Sequence, residues 1–223
     1  MSAPSSLASG THTLVVRKVL STTEWGGAVF SGTTESGQSL RVVASHKALP
    51  RVPVVGESWL VEGHVSNHAK FGPQVQAKSC RYTLPRGRLI IRFLTDHPDF
   101  AGIGDGKATD LWKAFGEQLL PTLSAGDVVA LESVLTRPMA QRLVESWATK
   151  EAEAAVVDFL DRHGFDPNMA NKLRRAWGDK TIDMLELNPY YLLAFASWGK
   201  VDGVAAKLGI ATDDERRLVG AVE

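Results

Sequence analysis

From Thr13 to Thr83 the chain alternates short β-branched and apolar runs with Gly, Ser and Pro, the pattern of strands bounded by turns. It predicts strands near Thr13–Leu20, Ala28–Ser31, Ser39–Ala44, Ser58–His64 and Val75–Thr83, with Thr34-Glu35-Ser36-Gly37 joining the second and third as a hairpin. Short strands at this spacing suit a small closed barrel, of which the five-stranded oligonucleotide-binding (OB) barrel is the common form. Leu84-Pro85-Arg86-Gly87-Arg88 interrupts the periodicity, and beyond it the apolar positions recur with helical period. Helices are predicted near Leu89–Leu94, Lys107–Phe115, Ala125–Leu135, Pro138–Trp147, Ala152–His163, Pro167–Trp177, Thr181–Leu187, Pro189–Phe195, Val201–Leu208 and Asp213–Val222. The fold class expected is a β barrel plus an all-α part: a small five-stranded OB-like barrel followed by a tandem helix-hairpin-helix array. Residues 1–12 are expected as a disordered N-terminus, 13–84 as the barrel and 85–88 as a linker; 89–150 and 151–223 are expected as the first and second helix-hairpin-helix pairs.

The helical part contains one spacing four times. Gly102-Ile103-Gly104 is followed by Ala108 and Leu111, and the offsets return as Val134/Ala140/Leu143, Gly164/Ala170/Leu173 and Gly199/Ala205/Leu208. The first and third copies share a longer frame, in which Ala114-Phe115-Gly116-Glu117 becomes Ala176-Trp177-Gly178-Asp179, and Leu123 and Leu131 become Leu185 and Leu193. Duplicated helical pairs explain such a period. Glycine permits a tight turn between two helices, alanine lets the second helix approach closely, and leucine anchors it in the core. Such a turn aims free backbone N–H groups and a helix N-terminus outward, where a phosphate can sit. Gly102, Ile103, Gly104, Gly106 and Lys107 are therefore the candidate DNA-phosphate contacts. The other copies are poorer: Val134-Leu135-Thr136 lacks glycine, Gly164-Phe165-Asp166 brings a carboxylate, and Gly199-Lys200-Val201 keeps one glycine, so these are read as structural spacers. Trp112, Trp147, Trp177 and Trp198 read as core wedges between hairpins.

The formal net charge is zero, but residues 1–92 carry 11 Lys and Arg against 4 Asp and Glu, and residues 93–223 carry 14 against 21. Either the basic half meets nucleic acid, or the two halves attract each other. Lys70, Phe71, Arg86 and Arg88 are the candidate barrel-side DNA contacts, and Trp25, Phe30 and Phe71 are the aromatics considered for base stacking. One cysteine, Cys80, excludes an internal disulfide and a multi-cysteine zinc site, which fits a reducing cytoplasm. His64 and His68 are placed across a strand end and a turn, not on one face. The polar start Met1-Ser2-Ala3-Pro4-Ser5-Ser6 is no signal peptide, and no apolar run is long enough to span a bilayer. Ala101 to Ala108 imitates a phosphate loop but has Ala101 for the first glycine and Ala108 for the magnesium-holding hydroxyl. No nucleophile elbow, His-Glu-x-x-His or acid pair is present, so the chain is expected to catalyse nothing, to hold no metal or cofactor, and to avoid membranes.

Val61-Glu62-Gly63-His64-Val65-Ser66-Asn67-His68-Ala69-Lys70-Phe71-Gly72-Pro73-Gln74-Val75 resembles the end of the N-terminal barrel of long RecD-like helicases. Phe159-Leu160-Asp161-Arg162-His163-Gly164-Phe165, then Trp177-Gly178-Asp179 and Asn188-Pro189-Tyr190, is similar to that family's second hairpin pair, and Gly102-Ile103-Gly104 matches its hairpin turn. The resemblance covers nearly the whole chain. It implies a non-catalytic, DNA-binding accessory region ahead of a superfamily-one motor that uses ATP and magnesium and moves 5′ to 3′ on single-stranded DNA. Its phosphate loop would be expected after Glu223. The implied partners are DNA, single-stranded or junction, and the parent's own motor domains; the implied setting is DNA repair and recombination. Ser197-Trp198-Gly199-Lys200-Val201-Asp202-Gly203 departs from the family's Gly-hydrophobic-Gly in the fourth hairpin. The barrel followed by hairpins also resembles the junction-binding protein of Holliday-junction branch migration, which has one hairpin pair, and the C-terminal half of bacterial DNA ligases, whose four-cysteine zinc module this chain lacks. Junction binding, and from another class a protein-docking scaffold, remain the alternatives.

Overall fold

The structure is a computed structural model that describes residues 9–167 and 169–221. Strands β1 (Ser9–Thr22), β2 (Ala28–Thr34), β3 (Ser39–Ala44), β4 (Ser58–His68) and β5 (Gly72–Tyr82) close a barrel in the order β1-β2-β3-β5-β4. All pairs are antiparallel except β3 with β5, which join in parallel at Val42↔Val75 and Val43↔Gln76. Closure is possible because β1 serves two neighbours: its first half pairs with β4, and its second half pairs with β2 across register shifts at Val16/Lys18 and Val19/Ser21. Such bulges bend and twist a strand enough to turn a corner. The expected disordered N-terminus is corrected at its end. Residues 1–8 lie outside the described residues, but residues 9–12 are strand, with Ser9 opposite His64 and His12 opposite Val61. Main-chain pairing needs no apolar alternation, so the polar Ser-Gly-Thr-His run gave no signal. In β2, Ala28 and Phe30 point inward, and Phe30 is fully buried rather than an exposed stacking candidate.

Contacts divide the chain into two compact units with the boundary between Glu151 and Ala152. In the first, the barrel and the first helices share one unit. It holds α1 (Leu89–Asp96), α2 (Asp105–Phe115), α3 (Leu119–Ser124), α4 (Val128–Leu131) and the start of α5 (Arg137–Arg162). Val15 of β1 joins Ile90, Phe93, Leu111, Leu123 and Trp147 in a single buried cluster. The β3–β4 loop meets the end of α1 backbone to backbone. Gly56 has φ +88, and a Cβ there would lie 2.3 Å from His97 N, so only glycine fits. An Arg17–Asp96 ion pair fastens the same junction, and residues 85–88 cross between two parts already packed together. Inside the barrel end, the buried Glu57 carboxylate accepts both guanidinium ends of Arg51 (2.7 and 2.9 Å), the Trp59 indole N–H (3.0 Å) and the Val54 N–H (2.7 Å). Its lone pairs are satisfied, which is what lets a carboxylate be buried.

Two expected helices prove to be one. Pro138–Trp147 and Ala152–His163 belong to α5, because the intervening Ala-Thr-Lys-Glu contains no breaker. Conversely, the helix expected over Ala125–Leu135 shrinks to α4, with Asp127 capping it by accepting from Ala130 N–H. The second unit adds α6 (Met169–Trp177), α7 (Thr181–Leu187), α8 (Trp198–Lys207) and α9 (Glu215–Gly220), with Pro189–Ala194 as a 3-10 segment where a helix was expected. Its far end is clasped by side chains. Asp202 accepts from the Tyr190 O–H (2.8 Å) and from Arg217 Nε and Nη2 (2.8 and 3.0 Å), while Tyr190 stacks on Trp198 at 5.4 Å. Burial, then the Asp202 bond, pushes the Tyr190 phenol up to about 12. Of the four tryptophans expected as wedges, Trp147 is fully in the core; Trp112, Trp177 and Trp198 are half-buried.

Candidate nucleic-acid interface

Gly102, Ile103, Gly104, Gly106 and Lys107 are brought together in the turn between the 3-10 segment Pro98–Phe100 and α2. Gly102 has φ +95, a conformation that side chains with a Cβ resist. The next side chain, Ile103, is 5 % exposed and faces the core, and its N–H already donates to Phe100 C=O (3.0 Å). Ile103 therefore anchors the turn and has no amide left to give. Gly104 caps α2 with no side-chain cap, at φ −79 and ψ 177. The first bond into the helix is from Ala108 N–H to Gly104 C=O (3.0 Å), which leaves the amides of Asp105, Gly106 and Lys107 without helical acceptors. A Cβ on Gly102, Gly104 or Gly106 would meet nothing within 4 Å, so the surface over these amides is open. Lys107 does not wave in solvent: its ammonium donates to Gly102 C=O (3.0 Å) and sits against the turn. Asp105, the carboxylate at the start of α2, is paired with Arg92 at 3.3 Å. Nearby, burial acts to raise Asp99, but the bond from Lys150 at 2.7 Å prevails and holds its carboxyl below the usual range.

The third copy repeats the glycine and the buried anchors but not the helix start, since Ala170 N–H donates to Pro167 C=O rather than to Asp166, which stands in the place of Gly104. Gly164 has φ +70, Phe165 is buried where Ile103 is, and Ala170 and Leu173 are buried where Ala108 and Leu111 are. Gly116 (φ +52) and Gly178 (φ +59) then open matching 3-10 turns, Gly116–Gln118 and Gly178–Lys180, ahead of α3 and α7. Again a lysine holds the glycine carbonyl: Lys200 donates to Gly164 C=O and lies over the Phe165 ring at 4.8 Å. Nothing in the sequence marks this contact, because Lys200 stands 36 residues downstream on α8. The second copy keeps its register, with Ala140 N–H donating to Thr136 C=O (2.9 Å) and Leu135 buried. The fourth is corrected. Gly199 and Lys200 lie inside α8, whose cap is Ser197, so Val201 and Val204 take the places of Ala108 and Leu111. Gly199 matched by spacing but falls four residues out of phase with the turn.

The barrel-side candidates fall into two sets. Lys70 and Phe71 lie in the β4–β5 turn, where Phe71 is 47 % exposed. Its ring has the Arg41 guanidinium at 4.2 Å, the His68 ring at 4.8 Å and the Lys70 ammonium at 5.4 Å. Arg86 and Arg88 are exposed just before α1. Arg88 shares with Arg92, Thr33, Thr34, Asp105 and Thr109 an open cleft of about 330 Å³, which reaches the start of α2. His64 and His68 both lie on β4, not across a turn; four strand residues put them on one face but about 13 Å apart. Among the described residues no group of three His, Cys, Asp or Glu is placed to hold a metal. Cys80 is buried, and burial pushes its thiol up to about 12. No described helix is long and apolar enough to cross a membrane.

Residues 149–223 match the family model of the ATP-dependent RecD2 DNA helicase HHH domain. The match spans about a third of the chain and falls on the second unit, including the hairpin at Gly164 and the clasp at Asp202. The barrel and the hairpin at Gly102 lie outside it. Residues 149–223 are thus similar to the helix-hairpin-helix domain of RecD2 helicases, and they follow a closed five-stranded barrel and a first set of helices.

Proposed function

We propose that this chain is the DNA-binding accessory region of a RecD-like helicase and that the Gly102–Lys107 turn takes a backbone phosphate without reading sequence. The observation that carries this reading is the uncapped start of α2. Free amides open onto solvent over three glycines, and an ammonium is already fixed at the Gly102 carbonyl. Phosphate is the anion that such a helix start accepts, and a contact made through amides positions a strand without identifying its bases. Arg92 offsets Asp105, so the one carboxylate at the site does not repel the ligand unopposed. ATP hydrolysis and its magnesium belong in this reading to the motor of the parent enzyme, in the cytoplasm. The run from Ala101 to Ala108 follows a 3-10 segment rather than a strand, which is not the setting of a nucleotide phosphate loop.

The test is a titration of labelled single-stranded and junction DNA at several salt concentrations. Binding is expected to be weak, indifferent to sequence and strongly reduced by salt, and Lys107→Ala should lower the salt slope by about 0.7 on single strands. Binding that ignores salt, or a Lys107→Ala variant with the parent's slope, would refute phosphate contact at this turn. Residues 152–223 carry 12 Asp and Glu against 9 Lys and Arg, which favours a second reading for the RecD2-like unit, in which it docks the motor; it predicts that residues 152–223 contribute nothing to DNA affinity.

A further inference from the structure

We propose that the outer face of the barrel takes an unpaired nucleobase, stacked on Phe71, beside the turn that takes phosphate. The inference rests on the DNA-binding reading and adds the class of strand: one whose bases are free. Phe71 projects from the β4–β5 turn with nearly half its surface in water, and Arg41, His68 and Lys70 surround it instead of apolar residues. An exposed ring flanked by a guanidinium and an ammonium offers one partner a π-face and its adjoining phosphate two cations.

The strand register shows how this platform continues. Phe30, Val42 and Val75 point into the barrel and are fully buried, so the residues between them face out. On that side Arg41 opposes Ser31, and Val43 lies between Val29 of β2 and Gln76 of β5. These side chains make a low floor of short apolar and amide groups. Three residues beyond Arg41, about 10 Å along β3, the Ala44 carbonyl lies under Gly27 of the β1–β2 turn. That turn carries Trp25, 80 % exposed. Phe71 thus stands beside Arg41 of β3, and the turn that carries Trp25 meets the end of the same strand. Stacking on such rings is tolerant of sequence, because every base has a π-face, but it excludes a duplex, whose base faces are already stacked.

The experiment uses the full 223-residue chain and three probes of equal length: oligo-dT, an abasic deoxyribose-phosphate strand and a duplex. The abasic strand reports phosphate contact alone; the excess affinity for oligo-dT reports stacking. Phe71→Ala is expected to weaken oligo-dT binding by roughly five- to a hundredfold and to leave the abasic strand unchanged, while Phe71→Trp retains binding to both. The proposal is overturned if Phe71→Ala binds oligo-dT as the parent does, or if it loses equal affinity for oligo-dT and the abasic strand. If the parent binds the abasic strand but shows no excess for oligo-dT, the phosphate reading stands and this one falls. If the parent binds neither, both fall.

Discussion

Gly102 and Gly104 flank the same anchor, yet the structure gives them different work, and two substitutions should separate it. Gly102 has φ +95; an alanine there would hold a conformation that costs about 1–2 kcal/mol. For a unit of this size that corresponds to a fall in Tm of roughly 2–8 °C. Gly104 sits at φ −79 and ψ 177, extended backbone open to any residue, and a Cβ there touches nothing within 4 Å. Gly104→Val should therefore carry no backbone strain and cost only the roughly 1 kcal/mol typical of a cap substitution. Its methyl groups would instead stand where a phosphate must come to reach the amides of α2. Losing one charge-assisted hydrogen bond of about 1.5–3 kcal/mol lowers affinity by roughly ten- to a hundredfold. Melting curves and salt-dependent titrations of both variants give the four numbers required. A Gly104→Val protein that binds DNA like the parent would refute phosphate approach at this turn, and an unchanged Tm in Gly102→Ala would refute the strained hairpin.

Leu111→Ala and Leu173→Ala remove equivalent anchors, 0 % and 1 % exposed, and each should cost about 2–5 kcal/mol; calorimetry showing one anchor dispensable would break the equivalence of the two hairpins. Cys80, its thiol pushed up to about 12 by burial, should resist alkylation in the folded protein and react only as the barrel opens in denaturant; rapid labelling without denaturant would contradict this. Bonds from Arg217 and Tyr190 hold the Asp202 carboxyl below its ordinary 3.8. A group depressed in the folded state adds stability that is complete above the unfolded value and lost as pH falls through the folded one. Acid melting of Asp202→Asn should therefore be flatter than that of the parent below about pH 4, and parallel curves would show that the clasp carries no such linkage.

The barrel and the repeat were legible because both are written in local periodicity. Alternation located the β2 and β3 cores, and the Gly-x-x-x-x-x-Ala offset located hairpins one and three, since a positive-φ turn and a close helix approach each demand a residue type. Where the sequence reading went astray, the deciding interaction was not local. The polar run Ser9–His12 became strand because β4 extends far enough to pair with it. Gly199 satisfied a spacing but not a turn, because Ser197 starts α8 and carries the phase of the anchors to Val201 and Val204. Phe30 looked like Phe71 in composition, and only its inward position in β2 separates a core ring from an exposed one.

The least legible feature is the lysine on each positive-φ carbonyl. Lys107 reaches Gly102 from five residues away and Lys200 reaches Gly164 from another helix, so no single motif encodes both. What recurs is the physical arrangement: a carbonyl turned outward by the glycine, and an ammonium that fixes it. Each ammonium donates one hydrogen and has two more to give, so a cation that holds the turn is also positioned to meet a phosphate. This follows for hairpin one, where the amides beside it are open. In hairpin three Lys200 also covers Phe165, and Asp166 stands at the position of Gly104 with its own partner. There the amides of Met169 and Ala170 already donate to Asp166 C=O and Pro167 C=O, which is why phosphate contact is proposed for the first hairpin although the family match falls on the second unit.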